Sequence, residues 1–527
     1  MIKFKIVLFI LLLSLISCQS PSDNKLEIET DSFRFLEKGI VEIQEGYKNG
    51  TFTIKELVEA YLQRIEDIDK KGPMLSAIIQ INPDAIQNAE QLDLEMAEGN
   101  TRGPLHGIPI LLKDNIDTHD KMATTAGSRA MINSYPLQDS FIAKKLKEAG
   151  ALIIGKANLS EWANFRGQLS SSGWSGVGGQ TKNPYDLSRN PCGSSSGSAV
   201  AVAANLTMLA IGTETNGSIV CPSNNNGIVG IKPTVGLVSR TGIIPISFTQ
   251  DTAGPMARTV MDAAICLGVL TGIDPTDEKT LASEGKFFTD YTQFLKEDGL
   301  KDKRIGFYQR PMGRNYKVDT LMNQAVAFIE GQGAEIVDID EISSGDVGSN
   351  SFQIMLYEYK DGLNKYFQSL GPDAPIKSME ELILFNRSDS IELKFYNQRY
   401  LEMAQEKGDL TEEAYREALA NMLKAIREEG IDRIMDLHNL DAIIAPTGGP
   451  AWKTDLTNGD SFHLGSSSPA ARAGYPNITV PMGYVDELPV GISFFGRAWS
   501  EPVLLEMAYA YEVGTTHRKV PKFINPE

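Results

Sequence analysis

The segment SAIIQINPDAIQNAEQLDLEMAEG (76–99), continued by GIPILLKD (107–114), SFIAKKLKEAG (140–150) and ALIIGKA (151–157), alternates short apolar runs with stretches of helical period. SAIIQI, GIPILLKD and ALIIGKA read as strands, and the two intervening stretches as helices, the second ended by Gly150. Alternation of this kind predicts an α/β fold with a largely parallel or mixed sheet covered by helices. Upstream, Thr53 and Glu56 form a capping box that opens a helix over 53–70, with Leu57, Tyr61 and Ile65 on one stripe. Further strands are expected at RIGFY (304–308), DAIIAPT (441–447), NITVPMG (477–483) and VGISFFG (490–496), and a helical insertion from about 340 to 435. With no fixed-period repeat and no low-complexity linker after residue 30, a single domain is expected.

At 527 residues and 42 % hydrophobic the chain can bury a large core. Its net charge of −18 would repel a phosphate backbone, so no nucleic-acid partner is expected. The N-terminus places Lys3 and Lys5 before an apolar run, Ile6 to Ile16, that is too short to span a bilayer. Residues 1–17 therefore read as an export signal, 18–34 as a tether and 35–525 as the folded domain. Leu15-Ile16-Ser17-Cys18 resembles the bacterial lipoprotein box, which implies a lipid anchor on Cys18 and a periplasmic, membrane-held protein. Cys192, Cys221 and Cys266 cannot all pair within one chain and are expected to be buried, inert thiols, pairing of the first two being left open. Five histidines without ligand spacing point to no metal, and no motif calls for a cofactor.

The stretch NPCGSSSGSAVAVAANL (190–206) satisfies G-x-S-x-G with Ser195 at the nucleophile position, but the turn-rich KNPYDLSRNPC before it is no strand, which argues against an elbow. No Gly-Lys-Ser/Thr follows, so it is no phosphate loop either. Farther on, an apolar strand runs into GTETNGSIVCP, where Ser218 lies beside a glycine-containing turn able to aim backbone N–H groups into one concavity. A serine nucleophile needs a base. Lys113 ends the apolar strand IPILL, where burial could bring an amine from about 10.4 towards neutrality. A hydroxyl from the serine-rich loop could then relay the proton between them.

GPLHGIPILLKDNID, NPCGSSSGSAVAVAA, IGTETNGSIVCPS and GIVGIKPTVGLVSRTGIIPISFTQDTAGPMAR, in this order, resemble the amidase signature family over about residues 50–515. GTETNGSIVCP, EWANFRGQ and GRAWSEPVLLEMAYAYE most resemble its bacterial peptide-amidase branch. The resemblance implies a large mixed β-sheet covered by helices on both faces and a Ser-cisSer-Lys set: Ser218 as nucleophile, Ser194 as the bridging serine after a cis peptide bond, and Lys113 as base. It implies an oxyanion site built from the N–H groups of Thr215, Asn216, Gly217 and Ser218. Where relatives often carry Asp-x-Gly-Gly-Ser-x-Arg, this chain has Glu214 to Val220, and Asp251 and Arg258 read as supports of the site. The implied activity is hydrolysis of peptide or small-molecule amides with release of ammonia. The alternatives are a broad-specificity small-amide hydrolase, the glutaminase subunit of a tRNA-dependent amidotransferase, and an idle amide-binding protein. FRGQLSSSGWSG (165–176) and parts of 350–460 are the expected specificity loops, and the oligomeric state is left open.

Overall fold

The alternation between residues 76 and 157 folds as β1 (Ile78–Ile81), the helix Ala85–Ala97, β2 (Pro109–Lys113), the helix Phe141–Glu148 and β3 (Leu152–Ala157). The computed structural model describes residues 33–343 and 345–526. Its other strands are β4 (Trp174–Ser175), β5 (Gly179–Gln180), β6 (Leu209–Glu214), β7 (Val229–Lys232), β8 (Thr252–Ala257), β9 (Arg304–Tyr308), β10 (Glu335–Ile339), β11 (Ala442–Pro446), β12 (Asn477–Val485) and β13 (Leu488–Phe495). β4 and β5 make a small hairpin, and the rest join one sheet in the order β1-β3-β2-β6-β8-β7-β12-β13-β11-β9-β10. β2 lies parallel to β3 and β6, and β9 parallel to β10 and β11, whereas β6 and β7 both run antiparallel to β8. The mixed sheet is the one expected.

β2, β3 and β6 are buried along their whole length, which is why their sequences are near-continuous apolar runs without alternation. Helices cover both faces. Ser196–Ala203 has all eight residues buried, as the apolar composition all round SGSAVAVA requires. Residues 347–438 supply the expected helical region, beginning with the long helix Val347–Ser369. It is fastened to the serine-loop side by Arg166, whose buried guanidinium bonds Glu161 at 2.7 Å and Glu392 at 3.1 Å. A buried charge of this kind holds only while both partners stay in place.

The thiol expectation needs correcting for two of three cysteines. Cys192 and Cys221 form a disulfide, with Cα atoms 6.0 Å apart across a separation of 29 residues. Cys266 is the buried free thiol, its pKa raised by burial. Closing a loop of that length restricts the unfolded chain by about 3–4 kcal/mol in the chain-entropy model. The export signal at 1–17, Cys18 and almost all of the 18–34 tether lie outside the described residues. Among those described, no helix is long and apolar enough to cross a membrane.

Candidate active site

Lys113 is the last residue of β2, and Thr213 and Glu214 are the last two of β6, the parallel neighbour of β2. The carboxyl ends of adjacent parallel strands are where open α/β sheets form ligand crevices. The Lys113 side chain is 0 % exposed. Its Nζ lies 2.7 Å from Ser194 Oγ, 2.8 Å from Thr213 Oγ1 and 3.2 Å from the Thr213 carbonyl oxygen. Thr213 Oγ1 also accepts from Asn115 Nδ2 at 3.0 Å. A neutral amine has two protons and one lone pair. Donating both protons to Thr213 leaves that lone pair for the Ser194 hydroxyl, the polarity a base requires.

Burial lowers the Lys113 pKa to about 7, against the weaker opposing pull of the Asp251 and Glu214 charges. Among the described residues no carboxylate lies within ion-pair distance of it. Asp114, its neighbour in sequence, turns instead to the Thr125 hydroxyl. A second buried lysine, Lys156 of β3, donates to the Ile116 carbonyl oxygen at 2.5 Å and to Thr124 Oγ1 at 3.0 Å. The charges of Asp114 and Asp117 offset part of the burial that lowers its pKa.

The serine loop is held from several sides. The Gly193–Ser194 peptide bond is cis. The Ser194 carbonyl oxygen accepts from Ser160 N at 3.0 Å, and Ser195 N donates to the Ser218 carbonyl oxygen at 3.1 Å, tying the two serine-bearing loops together. A Cβ at 193 would stand 2.1 Å from Ser160 Oγ, so a larger residue there would have to displace the bond that this oxygen accepts from Gly173 N at 2.9 Å. Ser195 is fully buried, its hydroxyl engaged with Thr213 N and O of β6, which leaves it no path to a substrate. The disulfide adds a covalent clamp, since Cys192 is two residues before Ser194 and Cys221 three after Ser218.

Glu214, absent from the expected site residues, shapes the turn that carries Ser218. Its carboxylate accepts from Gly217 N at 2.7 Å, Ile219 N at 2.8 Å and Val220 N at 3.1 Å. This corrects one member of the oxyanion set: the Gly217 N–H is spent on Glu214, and Gly217 serves through its φ of +85°. Among the described residues, the N–H groups of Thr215, Asn216 and Ser218 donate to no protein acceptor. The Thr215 hydroxyl donates to Asp251 at 2.5 Å, and the other Asp251 oxygen accepts from Ile246 N and Ser247 N, each at 2.8 Å. Burial raises the Asp251 pKa to about 6. The Asn216 side chain is held by Ser467 at 2.8 Å and Ser468 at 3.1 Å. Arg258 acts farther off, donating to the carbonyl oxygens of Thr207 and Lys38.

Ser218 is 9 % exposed, and its hydroxyl makes no hydrogen bond to the described residues, Ser194 included. The line of hydroxyls from Lys113 is therefore closed as far as Ser194 and open at Ser218. A buried amine near neutrality, a hydroxyl in contact with it, an unengaged serine and unspent N–H groups are the kinds of group that acyl transfer requires as base, relay, nucleophile and anion site.

The amidase family model matches residues 56–505. The chain belongs to the amidase signature family. The structure of native peptide amidase from Stenotrophomonas maltophilia superposes on this amidase with a TM-score of 0.90 at 49 % identity, covering 93 % of this chain and 99 % of that one. A probable amidase of Arabidopsis thaliana is 41 % identical over 94 % of this chain and 93 % of its own length. An amidase family protein from Bacillus anthracis superposes with a TM-score of 0.85 at 35 % identity, covering 94 % of each chain. This amidase is thus a hydrolase of the amidase signature type, on an eleven-stranded mixed sheet.

Proposed function

We propose that this amidase removes the C-terminal carboxamide of peptides as ammonia, with Ser218 as nucleophile, Ser194 as relay and Lys113 as base. The observation that carries the reading is the buried Lys113 amine, without a carboxylate partner among the described residues and 2.7 Å from Ser194 Oγ. Neutral Lys113 takes the Ser194 proton as Ser194 takes that of Ser218, whose oxygen attacks the amide carbon. The N–H groups of Thr215, Asn216 and Ser218 receive the oxyanion. The proton returns through Ser194 to the leaving nitrogen, ammonia departs, and water cleaves the acyl-Ser218 ester by the same route. Amide nitrogen leaves only when protonated, so a relay that runs both ways suits amides. Likeness to a peptide amidase supports the substrate class.

The test is to incubate purified protein with an amidated dipeptide and with its free acid. Ammonia is expected from the amide alone, without added protein partners. Turnover only with such partners would favour the glutaminase reading, and binding without turnover the idle one.

The same proposal places the enzyme in the bacterial cell envelope, held on the periplasmic side by lipid at Cys18 with residues 18–34 as tether. Lys3, Lys5 and the apolar run ending before Cys18 support it, as does the Cys192–Cys221 disulfide, a bond of oxidising compartments. Replacing Cys18 by serine is expected to move activity from the membrane to the soluble fraction. Activity that is soluble before the replacement would refute the anchor.

A further inference from the structure

The two serines that hold Asn216 belong to a segment that also walls a second cavity. Ser466 and Ser468 line a space of about 320 Å³ together with Tyr308, Arg310, Arg314 and Arg472. Three guanidiniums converge there in a chain of net charge −18. Their neutralisation is incomplete. Exposed Arg310 bonds Glu341 at 3.1 Å and also meets the Tyr308 hydroxyl, and among the described residues exposed Arg314 donates only to the His463 carbonyl oxygen at 3.2 Å. Half-buried Arg472 makes no hydrogen bond or ion pair to the described residues, and its buried Nε has no partner. Asp346 acts on Arg472 only from a distance, its own carboxylate bonded to Ser349 N at 3.1 Å. Burial and the Arg310 charge both lower the pKa of Arg472.

A guanidinium taken out of water without an acceptor is costly, and like charges side by side add to the cost. Planar forks in this arrangement match a carboxylate or phosphate, each oxygen accepting two N–H groups. The cavity also has a direct line to the chemistry. Ser468 Oγ, on its wall, accepts from Asn216 Nδ2 at 3.1 Å, and Asn216 is two residues from Ser218. A group seated among the arginines is therefore joined through one side chain to the turn that presents the nucleophile.

We propose that this cavity is an anion subsite that receives the carboxylate of an acidic residue in the peptide-amide substrate, with Arg472 as its central cation. The inference rests on the peptide-amide reading above and narrows it to acidic peptides. The subsite also offsets the repulsion that a chain of net charge −18 exerts on such substrates.

The test compares tripeptide amides carrying glutamate at each position in turn with the same peptides carrying glutamate γ-methyl ester, at constant ionic strength, by ammonia release. For the wild type, kcat/KM is expected to favour the acid roughly tenfold or more at one position, as loss of charged hydrogen bonds implies. Arg472→Gln is expected to bring that ratio near one, through KM. Arg310→Gln, at an exposed residue, should lower the ratio in the same direction if Arg472→Gln does not fold. Inorganic phosphate should inhibit turnover of the acid more than that of the ester. A wild-type ratio of one at every position, a ratio unchanged in the variants, or equal phosphate inhibition of both substrates would overturn the subsite while ester turnover leaves the peptide-amide reading standing. Ammonia from neither substrate would overturn both.

Discussion

Replacing Ser218 by alanine is expected to abolish ammonia release, with kcat falling by about 10⁴-fold or more, the scale seen when a nucleophile acting as part of a set is removed. The fold should not notice. The Ser218 hydroxyl bonds no described residue, so its loss strands no buried partner, and unfolding free energy should change by less than about 0.5 kcal/mol. Denaturant titration of both proteins checks this beside the assay. The neighbouring serines separate the roles. Ser194→Ala removes the group in contact with Lys113 and should also be severe, whereas Ser195→Ala breaks two bonds to Thr213 and should cost stability more than chemistry. A harmless Ser194→Ala alongside an inactive Ser195→Ala would reverse the assignment.

What could be read from the chain alone follows from which forces are local. β2, β3, β9, β11, β12 and β13 were legible because long apolar runs bounded by turn residues report burial directly. β7, β8 and β10 were not. VGIK is short, TAGPMA carries a glycine and a proline inside a fully buried strand, and EIVDI sits at the sheet edge with a charged residue at each end of its IV pair. Lys113 stood out because a cation ending an apolar strand is anomalous. Glu214 did not, since a carboxylate that folds back on N–H groups three to six residues later has no periodic signature. Asn216 meets Ser467 and Ser468 some 250 residues away, and nothing local announces that contact. The three cysteines beyond Cys18 likewise left pairing undecided until the two loops were brought together.

Lys113→Met is expected to remove activity as thoroughly as Ser218→Ala and yet to make the protein more stable at neutral pH. Burial holds the folded-state pKa at about 7 against an ordinary value of 10.5, so the unfolded chain binds the extra proton between those values. The resulting penalty is fully present below about pH 7 and is released as pH rises towards 10.5. At pH 7 it amounts to on the order of 4 kcal/mol, of which the lost bonds to Ser194 and Thr213 cancel a part. The variant's advantage in unfolding free energy should therefore shrink from pH 7 to pH 10. Catalysis reads the same proton from the other side: kcat/KM of the wild type should fall about tenfold per unit below pH 7 as the amine becomes charged. Asp251 and Glu214, whose charges oppose the depression, tune where that fall begins. Asp251→Asn should thus move it to lower pH. Full activity at pH 4, or a Lys113→Met protein less stable than wild type at pH 7, would show that the amine is not the buried base.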